Sequence, residues 1–322
     1  MSLKRTKLGK TGIEVTELCM GTLILGTLQA NLSPTEGAKA VRKALERGIN
    51  FIDTAKGYKT YPHVRLGIDG FPSDDIIIAS KSPVKDANQM REDVEACLGD
   101  LKRDVIDIFH LHLVKTREDM REREGALETL VKCRDEGMIR AVGLSAHGPE
   151  GVLAALDYPE IEVIFPILNK KGLGINGGSR EDMIEAVKKA KDRGVGLYVM
   201  KPLGGGHLID DIPGAIEYLR ELSLFDSISV GLKTPDEVDI MAGIFEGDIA
   251  SIERALTVGR ERAGQKRLIV YEFQCERCGI CVEACAQEAI SIGEKSAVVD
   301  HDQCILCGYC AAECPRFAIR VI

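Results

Sequence analysis

The sequence predicts an α/β fold, a (β/α)8 TIM barrel followed by a small C-terminal α+β domain. Before residue 256, apolar runs alternate with amphipathic helical stretches, which is the pattern of repeated βα units around a parallel sheet. Eight such runs are present, and eight strands close a barrel of this kind. The composition then changes, because eight of the eleven cysteines lie between residues 275 and 314. We therefore divide the chain into a barrel (1–255), a linker (256–268) and a cysteine-rich domain (269–322).

The predicted strands are short and mostly apolar, and helical segments such as residues 35–48 and 179–194 lie between them. The strands cover residues 18–22, 50–55, 76–82, 105–112, 139–145, 162–168, 195–201 and 227–233. In front of them, residues 3–18 read as a hairpin that turns at Gly12. This hairpin is expected to plug the bottom of the barrel.

Composition limits the kinds of partner that the protein can have. The chain has 322 residues, 45% of them apolar, and a formal charge of −8. A negative balance argues against nucleic acid, which is bound by basic surfaces. No run approaches the roughly 18 uncharged apolar residues that cross a bilayer, and the first residues lack the apolar stretch of a secretory signal. We expect a cytoplasmic protein that binds small molecules and no membrane.

The cysteines form two runs with the same spacing, C-x2-C-x2-C-x3-C, and the second run repeats the first 29 residues later. The runs place cysteines at positions 275, 278, 281 and 285, and at positions 304, 307, 310 and 314. This arrangement predicts two related half-domains that bind metal. Cys19, Cys97 and Cys133 stand alone among apolar or helical residues, where cysteine usually packs as a small hydrophobe.

The spacing predicts two four-iron four-sulfur (4Fe-4S) clusters. Three thiolates two residues apart wrap one cube, and the fourth cysteine starts a short helix that points to the other cube. Ligation should therefore cross over, with one cluster on Cys275, Cys278, Cys281 and Cys314 and the other on Cys304, Cys307, Cys310 and Cys285. Zinc also binds four thiolates, but generally through separated C-x2-C pairs. The segment resembles the bacterial two-cluster ferredoxins, with Pro315 after Cys314 as in that pattern and Ala286 after Cys285 as a departure from it.

Polar residues end three consecutive strands of the predicted barrel. Asp53 ends the second strand and Tyr58 follows it, Lys81 ends the third, and His112 ends the fourth. Barrel enzymes carry their chemistry at these strand ends. Singly, each residue has an ordinary structural explanation, such as a capped loop or a buried histidine. Together, four polar residues at neighbouring strand ends predict a catalytic site.

Several segments resemble the aldo-keto reductase superfamily, and the similarity extends over residues 3–245. The matching segments are LGKTGIEVTELCMGT, GINFIDTAKGY, IIIASKS, DIFHLH and IRAVGLSAH. The resemblance implies reduction of a carbonyl, or the reverse oxidation of an alcohol, by a tetrad of Asp53, Tyr58, Lys81 and His112. Tyr58 would donate the proton with its pKa lowered by Lys81, Asp53 would hold Lys81, and His112 would orient the carbonyl.

The resemblance also implies an NAD(P)H site at the mouth of the barrel. Its expected contacts are Ser145 after the fifth strand, Lys233 after the eighth, and the glycine-rich loop after the seventh, represented by Lys201, Pro202, Leu203 and Gly204. The chain departs from the family pattern at other contact positions, which here are Ala146, Phe165, Glu237 and Met241. A flavin in place of nicotinamide is the alternative cofactor that this altered pocket leaves open.

Hydride transfer moves two electrons together, whereas each cluster passes one at a time, so three functions fit the sequence. In the first, carbonyl reduction proceeds in the barrel and the clusters are structural or regulatory. In the second, the pocket holds a flavin or another electron acceptor, which the cluster domain supplies. In the third, the protein is a ferredoxin-type electron carrier or redox sensor whose barrel is a docking body without nicotinamide-dependent catalysis. A redox protein is a further expected partner.

Overall fold

A computed structural model describes residues 3–263 and 267–321 and confirms the predicted barrel. Eight parallel strands close into one sheet, in which the last strand pairs with both the first and the seventh. They are β3 (Leu18–Gly21), β4 (Phe51–Asp53), β5 (Ile77–Ser82), β6 (Ile106–Leu111), β7 (Ile139–Ala146), β8 (Val163–Pro166), β9 (Gly196–Val199) and β10 (Ser227–Gly231).

The strands form where the apolar runs predict them, because a parallel sheet covered by helices is buried on both faces. Strands β4, β8, β9 and β10 each end two residues before the predicted end, and at β9 the backbone explains this. Lys201 has a left-handed backbone (φ 59°), which an extended strand does not accommodate. Cys19, Cys97 and Cys133 are fully buried, as expected for packing residues.

Helices cover the outside of the barrel, and their first turns are capped by the sequence. Ser33 and Ser179 form capping boxes with Glu36 and Asp182. The helices are α1 (Pro34–Glu46), α2 (Tyr61–Ile68), α3 (Ala87–Leu101), α4 (Arg117–Arg121), α5 (Glu124–Asp135), α6 (Pro149–Ala155), α7 (Arg180–Asp192), α8 (Ile212–Glu221), α9 (Pro235–Glu246) and α10 (Ile249–Arg262). Within the described ranges, none of the helices has the length and apolar character that crossing a membrane requires.

The N-terminal hairpin covers the bottom of the barrel, as predicted. Its strands β1 (Arg5–Lys7) and β2 (Glu14–Thr16) pair antiparallel, and the turn between them buries Leu8 and Ile13. Gly9 lies so close to the start of β9 that an added Cβ would be 2.3 Å from the Gly196 nitrogen. The opposite, C-terminal end of the barrel is therefore the end available for a functional site.

The C-terminal domain repeats one small unit twice. Its elements are β11 (Leu268–Val270), α11 (Ile280–Glu283), β12 (Ile290–Ile292), β13 (Ala297–Val299), α12 (Tyr309–Ala312) and β14 (Ile319–Val321). Strand β11 pairs with β14 and β12 pairs with β13, both antiparallel. Each short helix follows a glycine with left-handed backbone, Gly279 (φ 84°) or Gly308 (φ 85°). The predicted linker includes residues 264–266, which lie outside the described residues, and the domain division stays a prediction.

The C-terminal domain lies on the C-terminal end of the barrel. Ile305 is 2% exposed and packs into the barrel's own apolar core. His207, after β9, is hydrogen-bonded through Nε2 to the Cys304 carbonyl at 2.7 Å. Gln287 Nε2 lies 2.5 Å from Nδ1 of His147, which follows β7. Loops after several barrel strands thus hold the small domain over the mouth.

We expect Gly205→Ala to weaken the contact between the two domains. Gly205 has φ +72°, and an added Cβ would lie 1.9 Å from the Ile305 carbonyl oxygen. Gly70 provides the control, because it has φ +85° with no atom within 4 Å of an added Cβ. Gly70→Ala should lower the free energy of unfolding by about 1–2 kcal/mol from backbone strain alone, and Gly205→Ala by at least about 1 kcal/mol more. Equal decreases in the free energy of unfolding of the two variants, measured by urea unfolding without oxygen, would contradict this contact.

Candidate active site and cluster sites

Four side chains singled out by the sequence lie near one another at the C-terminal end of the barrel. Asp53 is the last residue of β4, Lys81 lies near the end of β5, and His112 directly follows β6. Tyr58 ends a short 3-10 helix (Lys56–Tyr58) after β4. Because β4, β5 and β6 are neighbours in the barrel, their ends bring these four residues to one side of the mouth.

Lys81 and Asp53 form a buried ion pair. The Lys81 ammonium lies 2.7 and 2.8 Å from the two Asp53 carboxylate oxygens and 2.7 Å from the Thr54 carbonyl. Burial raises the pKa of Asp53 and lowers the pKa of Lys81, while the attraction between the two opposes both shifts. An ammonium has three protons, and these three acceptors engage all of them.

The C-terminal domain covers Tyr58. Tyr309 of α12 packs against the small buried group of Leu28, Ala55 and Tyr58, and the Lys81 ammonium lies 5.1 Å from the centre of the Tyr58 ring. The sequence predicts that Lys81 lowers the pKa of Tyr58. Burial raises the pKa of Tyr58 well above its ordinary value and so opposes the lowering that the sequence predicts from Lys81.

His112 completes the group beside Tyr58. The two rings meet edge to face with centroids 6.0 Å apart. Burial holds the pKa of His112 well below its ordinary value, and the positive charge of Lys81 acts in the same direction. His112 is therefore neutral at physiological pH, so its imidazole offers one N–H donor and one acceptor.

A second set of residues supports Asp53 from below. The Tyr198 hydroxyl donates to Asp53 Oδ1 at 2.9 Å and lies 2.7 Å from Nε2 of His110. Both Tyr198 and His110 are fully buried. Phe165 stacks on Tyr198 with ring centroids 3.9 Å apart, so an aromatic ring stands at a position where the family pattern has a polar contact. This network fixes the Asp53 carboxylate independently of Lys81.

The residues predicted to contact NAD(P)H are spread around the mouth. Ser145 is buried at the end of β7, and its oxygen accepts a hydrogen bond from the Leu113 backbone N–H at 2.9 Å. Lys233 lies after β10, where its backbone N–H donates to Glu237 at 2.9 Å. Lys201, Pro202, Leu203 and Gly204 follow β9, and burial lowers the pKa of Lys201. The next residue of that loop, Gly205, is in contact with Ile305 of the cluster domain.

The eight cysteines of the C-terminal domain surround two cavities. Cys275, Cys278, Cys281 and Cys314 line the first, and Cys285, Cys304, Cys307 and Cys310 line the second. These are the same two crossed sets that the sequence predicts. Backbone N–H groups of Ala297 and Ala318 donate to the sulfurs of Cys275 and Cys314 at 3.4 and 3.3 Å. Four sulfurs around one cavity, with amide donors to the sulfurs, fit a cubane cluster.

Two residues of the site were not predicted from the sequence. Tyr198 lies in an otherwise apolar strand segment. A tyrosine among aliphatic residues was the one sign in the sequence that a polar group would lie beside this strand. Tyr309 lies between Cys307 and Cys310, and the internal repeat places Ile280 at the corresponding position of the first half. A difference between two otherwise similar halves was therefore the available signal for Tyr309.

Comparisons with known proteins agree with this architecture. Residues 17–216 match the Aldo/keto reductase family, and residues 274–318 match the 4Fe-4S dicluster domain. L-galactose dehydrogenase of Arabidopsis thaliana is 27% identical over 64% of this chain and 67% of its own length. Methylglyoxal reductase of Yersinia pestis is 32% identical over 39% of this chain and 44% of its own length. The structure of an aldo-keto reductase from Bacillus halodurans shares the fold, with a TM-score of 0.64, 21% identity and coverage of 79% of this chain and 96% of that one.

We expect Cys281→Ala to remove one cluster and leave the other. Each cube contains four irons, so anaerobically purified protein should fall from about eight to about four irons per chain. The C-terminal domain should also lose stability, because its own apolar core is small. Cys133→Ala, which removes a buried thiol outside both sets, should leave the iron content unchanged. Unchanged iron in Cys281→Ala would refute the ligand assignment.

We expect Tyr198→Phe to destabilise the barrel. The substitution keeps the ring but removes a donor to Asp53 and the partner of His110, which should lower the free energy of unfolding by about 1–3 kcal/mol. Tyr158→Phe is the control, because that hydroxyl bonds Glu124 near the surface and should change stability by less than about 0.5 kcal/mol. Losses of the same small size in both variants would show that the buried network contributes little.

Proposed function

The chain belongs to the aldo/keto reductase family and carries a 4Fe-4S dicluster domain, and we propose that this oxidoreductase interconverts a small carbonyl compound and its alcohol. The proposed pocket is formed by Asp53, Tyr58, Lys81 and His112. Its buried ion pair, its phenol and its neutral imidazole are the groups that such a reaction uses. NAD(P)H, which is typical of the family, supplies hydride when it is bound.

Each residue has a role that follows from its contacts. Tyr58 donates the proton to the carbonyl oxygen, and His112 hydrogen-bonds the same oxygen to orient it. Lys81 remains charged because Asp53 lies beside it, and the ammonium favours the negative charge that develops on Tyr58. Asp53 in turn is fixed by Tyr198.

We further propose that the cluster domain exchanges single electrons with an electron-accepting compound bound in the pocket, because hydride itself moves two electrons together and each cluster passes only one. Clusters on the two cysteine sets supply single-electron chemistry, with Cys285, Cys304, Cys307 and Cys310 as the set nearer the pocket. The observation that supports this proposal is the packing of Tyr309 against the buried group that contains Tyr58, since Tyr309 directly precedes Cys310. In the other set, Cys278 is exposed, which suits exchange with a separate redox protein.

The contacts of NAD(P)H remain part of the proposal. Ser145, Lys233 and residues 201–204 are our candidates for holding it. The close approach of Gly205 to Ile305 leaves no space over that part of the loop, so a dinucleotide lying there requires the cluster segment to move. The flavin alternative gains no support from the comparisons, which match a family that typically uses NAD(P)H.

One observation favours a second function, an electron carrier or redox sensor whose barrel serves as a docking body. The C-terminal domain covers the mouth of the barrel and packs against Tyr58 through Tyr309. A protein without catalysis would tolerate such a cover. The two functions differ in whether a carbonyl compound is turned over.

Turnover of a carbonyl compound distinguishes these functions. Anaerobically purified protein should oxidise NADH or NADPH when methylglyoxal or another small carbonyl is added, and bleaching of the cluster absorbance by the nucleotide would indicate internal electron transfer. Tyr58→Phe removes the proton donor and should lower turnover by about 10² or more, while Tyr158→Phe should not. Undiminished turnover in Tyr58→Phe would refute the tetrad. Absence of any response to nucleotide or carbonyl would favour the carrier function.

A further inference from the structure

We infer that His110 and Tyr198 are positioning residues of the barrel's active site. A chain of hydrogen bonds directed from His110 through Tyr198 keeps the Asp53 carboxylate ionised, and Asp53 in turn keeps Lys81 charged beside Tyr58. This inference rests on the proposed function, in which Tyr58 donates the proton to a carbonyl oxygen. His110 and Tyr198 are both fully buried inside the barrel, so they act on the reaction only through Asp53.

The direction of each hydrogen bond follows from the number of protons available. The Tyr198 oxygen lies 2.9 Å from Asp53 Oδ1 and 2.7 Å from Nε2 of His110, and Tyr198 has one proton to donate. An ionised carboxylate only accepts, so this proton goes to Asp53. Nε2 of His110 must then carry a proton and donate it to the Tyr198 oxygen. Both hydrogen bonds are therefore directed toward Asp53.

The second ring nitrogen of His110 agrees with this direction. Burial holds the pKa of His110 well below its ordinary value, and the charge of Lys81 acts in the same direction, so the imidazole is neutral and has one proton. With that proton on Nε2, Nδ1 has only a lone pair. Nδ1 is buried and has no hydrogen-bond partner among the residues that the structure describes. A buried polar atom without a partner is costly, and the hydrogen bond from Nε2 to Tyr198 accounts for its presence here.

The neighbouring strands hold both rings in place. His110 of β6 pairs with Gly143 of β7, where an added Cβ would lie 2.3 Å from His110 Nδ1. Only a glycine leaves room for the imidazole beside this strand. The Tyr198 ring lies between two phenylalanines, with centroid distances of 3.9 Å to Phe165 and 4.9 Å to Phe51. Packing therefore fixes the geometry that the two hydrogen bonds require.

The hydrogen bond from Tyr198 offsets a cost that burial imposes on the ion pair. Asp53 is 3% exposed and Lys81 is 1% exposed, and burial favours the uncharged form of each. A donor to the carboxylate favours the ionised form of Asp53. Without this donor, transfer of a proton from Lys81 to Asp53 becomes easier. A neutral Lys81 amine would no longer favour the negative charge that develops on Tyr58.

The other ionisable groups around the ion pair are the same in every variant that tests this inference. They are Cys19 of β3, Tyr58 after β4, His112 after β6, Lys201 after β9 and Tyr309 of α12. Burial raises the pKa of the thiol and of both phenols and lowers the pKa of His112, so these four groups are neutral at physiological pH. Lys201 favours ionised Asp53. A change in pH dependence among the variants therefore reports the hydrogen-bonded chain.

Four substitutions in the full chain, purified without oxygen, test the inference. Tyr198→Phe removes the donor to Asp53, and His110→Phe removes the N–H that Tyr198 accepts. His110→Gln retains an N–H donor, and Tyr158→Phe is the control that removes a hydroxyl near the surface. Steady-state kinetics with methylglyoxal as the probe give kcat and KM across a range of pH. Nitrogen-15 NMR of the histidines shows which ring nitrogen of His110 carries the proton, without any substrate, and the signals missing from His110→Gln identify this residue.

We expect Tyr198→Phe to lower kcat roughly tenfold with KM within about twofold, because it weakens the stabilisation of the transition state and removes no contact with substrate. The fall of kcat on the acid side should move to higher pH, since a carboxylate that has lost a donor has a higher pKa. His110→Phe should cause the same changes to a smaller extent, and His110→Gln should restore the wild-type pH profile. Tyr158→Phe should change none of these values. A merely structural role would not move the pH profile or be rescued by glutamine.

The outcomes separate this inference from the proposed function. If Tyr58→Phe abolishes turnover while Tyr198→Phe and His110→Phe keep the wild-type kcat and pH profile, the inference is overturned and the function stands. If methylglyoxal is not turned over, or if Tyr198→Phe does not fold, the NMR spectrum of the wild type decides alone. A His110 proton on Nε2 would then support the directed chain, and a proton on Nδ1 would reverse the hydrogen bond and overturn the inference.

Discussion

The buried ion pair of Lys81 and Asp53 is the constraint on which the rest of the pocket depends. A charge inside a barrel is costly unless each of its protons or lone pairs has a partner, and here Thr54 and Tyr198 complete the set. Because Lys81 is fully engaged in this way, it holds its position but has no proton left for the phenol above it. The C-terminal domain covers Tyr58 from above, where Tyr309 packs against the buried group that contains it.

The packing of that domain on the barrel explains why its two halves differ in burial, although both have the same cysteine spacing. In the second half, Ile305 is buried in the barrel core and Leu306 in the small domain's own core, while their counterparts in the first half, Glu276 and Arg277, are charged and exposed. Burial of Ile305 contributes about 1.5–3 kcal/mol by the usual transfer scale. The first half, with Cys278 exposed, remains accessible to other molecules. The domain is therefore oriented, with one half toward the pocket and one toward solvent.

Much of this architecture follows from local sequence patterns. The strands are apolar runs, the polar residues at their ends meet because parallel strands share one end, and the cysteine spacing sets which sulfurs meet. What was missed depends on contacts between distant segments. Tyr198 meets His110 across the barrel interior, 88 residues away in the chain. The burial that raises the pKa of Tyr58 could not be foreseen from the sequence, because the residues that cover the phenol come from a distant segment of the chain. Tyr309 stands where the first half has an isoleucine. This difference is visible in the sequence, but only the packing of the domain on the barrel shows which residues Tyr309 contacts.

The crossed cysteine sets have a consequence for how the protein matures. Each cavity takes three sulfurs from one half and one from the other, so neither half can be loaded with iron and sulfide while the other is unfolded. The loop that carries Tyr309 belongs to this jointly assembled unit. If the cavities hold clusters as proposed, oxygen damage to one cube loosens the loop at the mouth of the barrel. The fraction of molecules with an intact pocket would then depend on the supply of iron in the cell and on the exposure of the cell to oxidants.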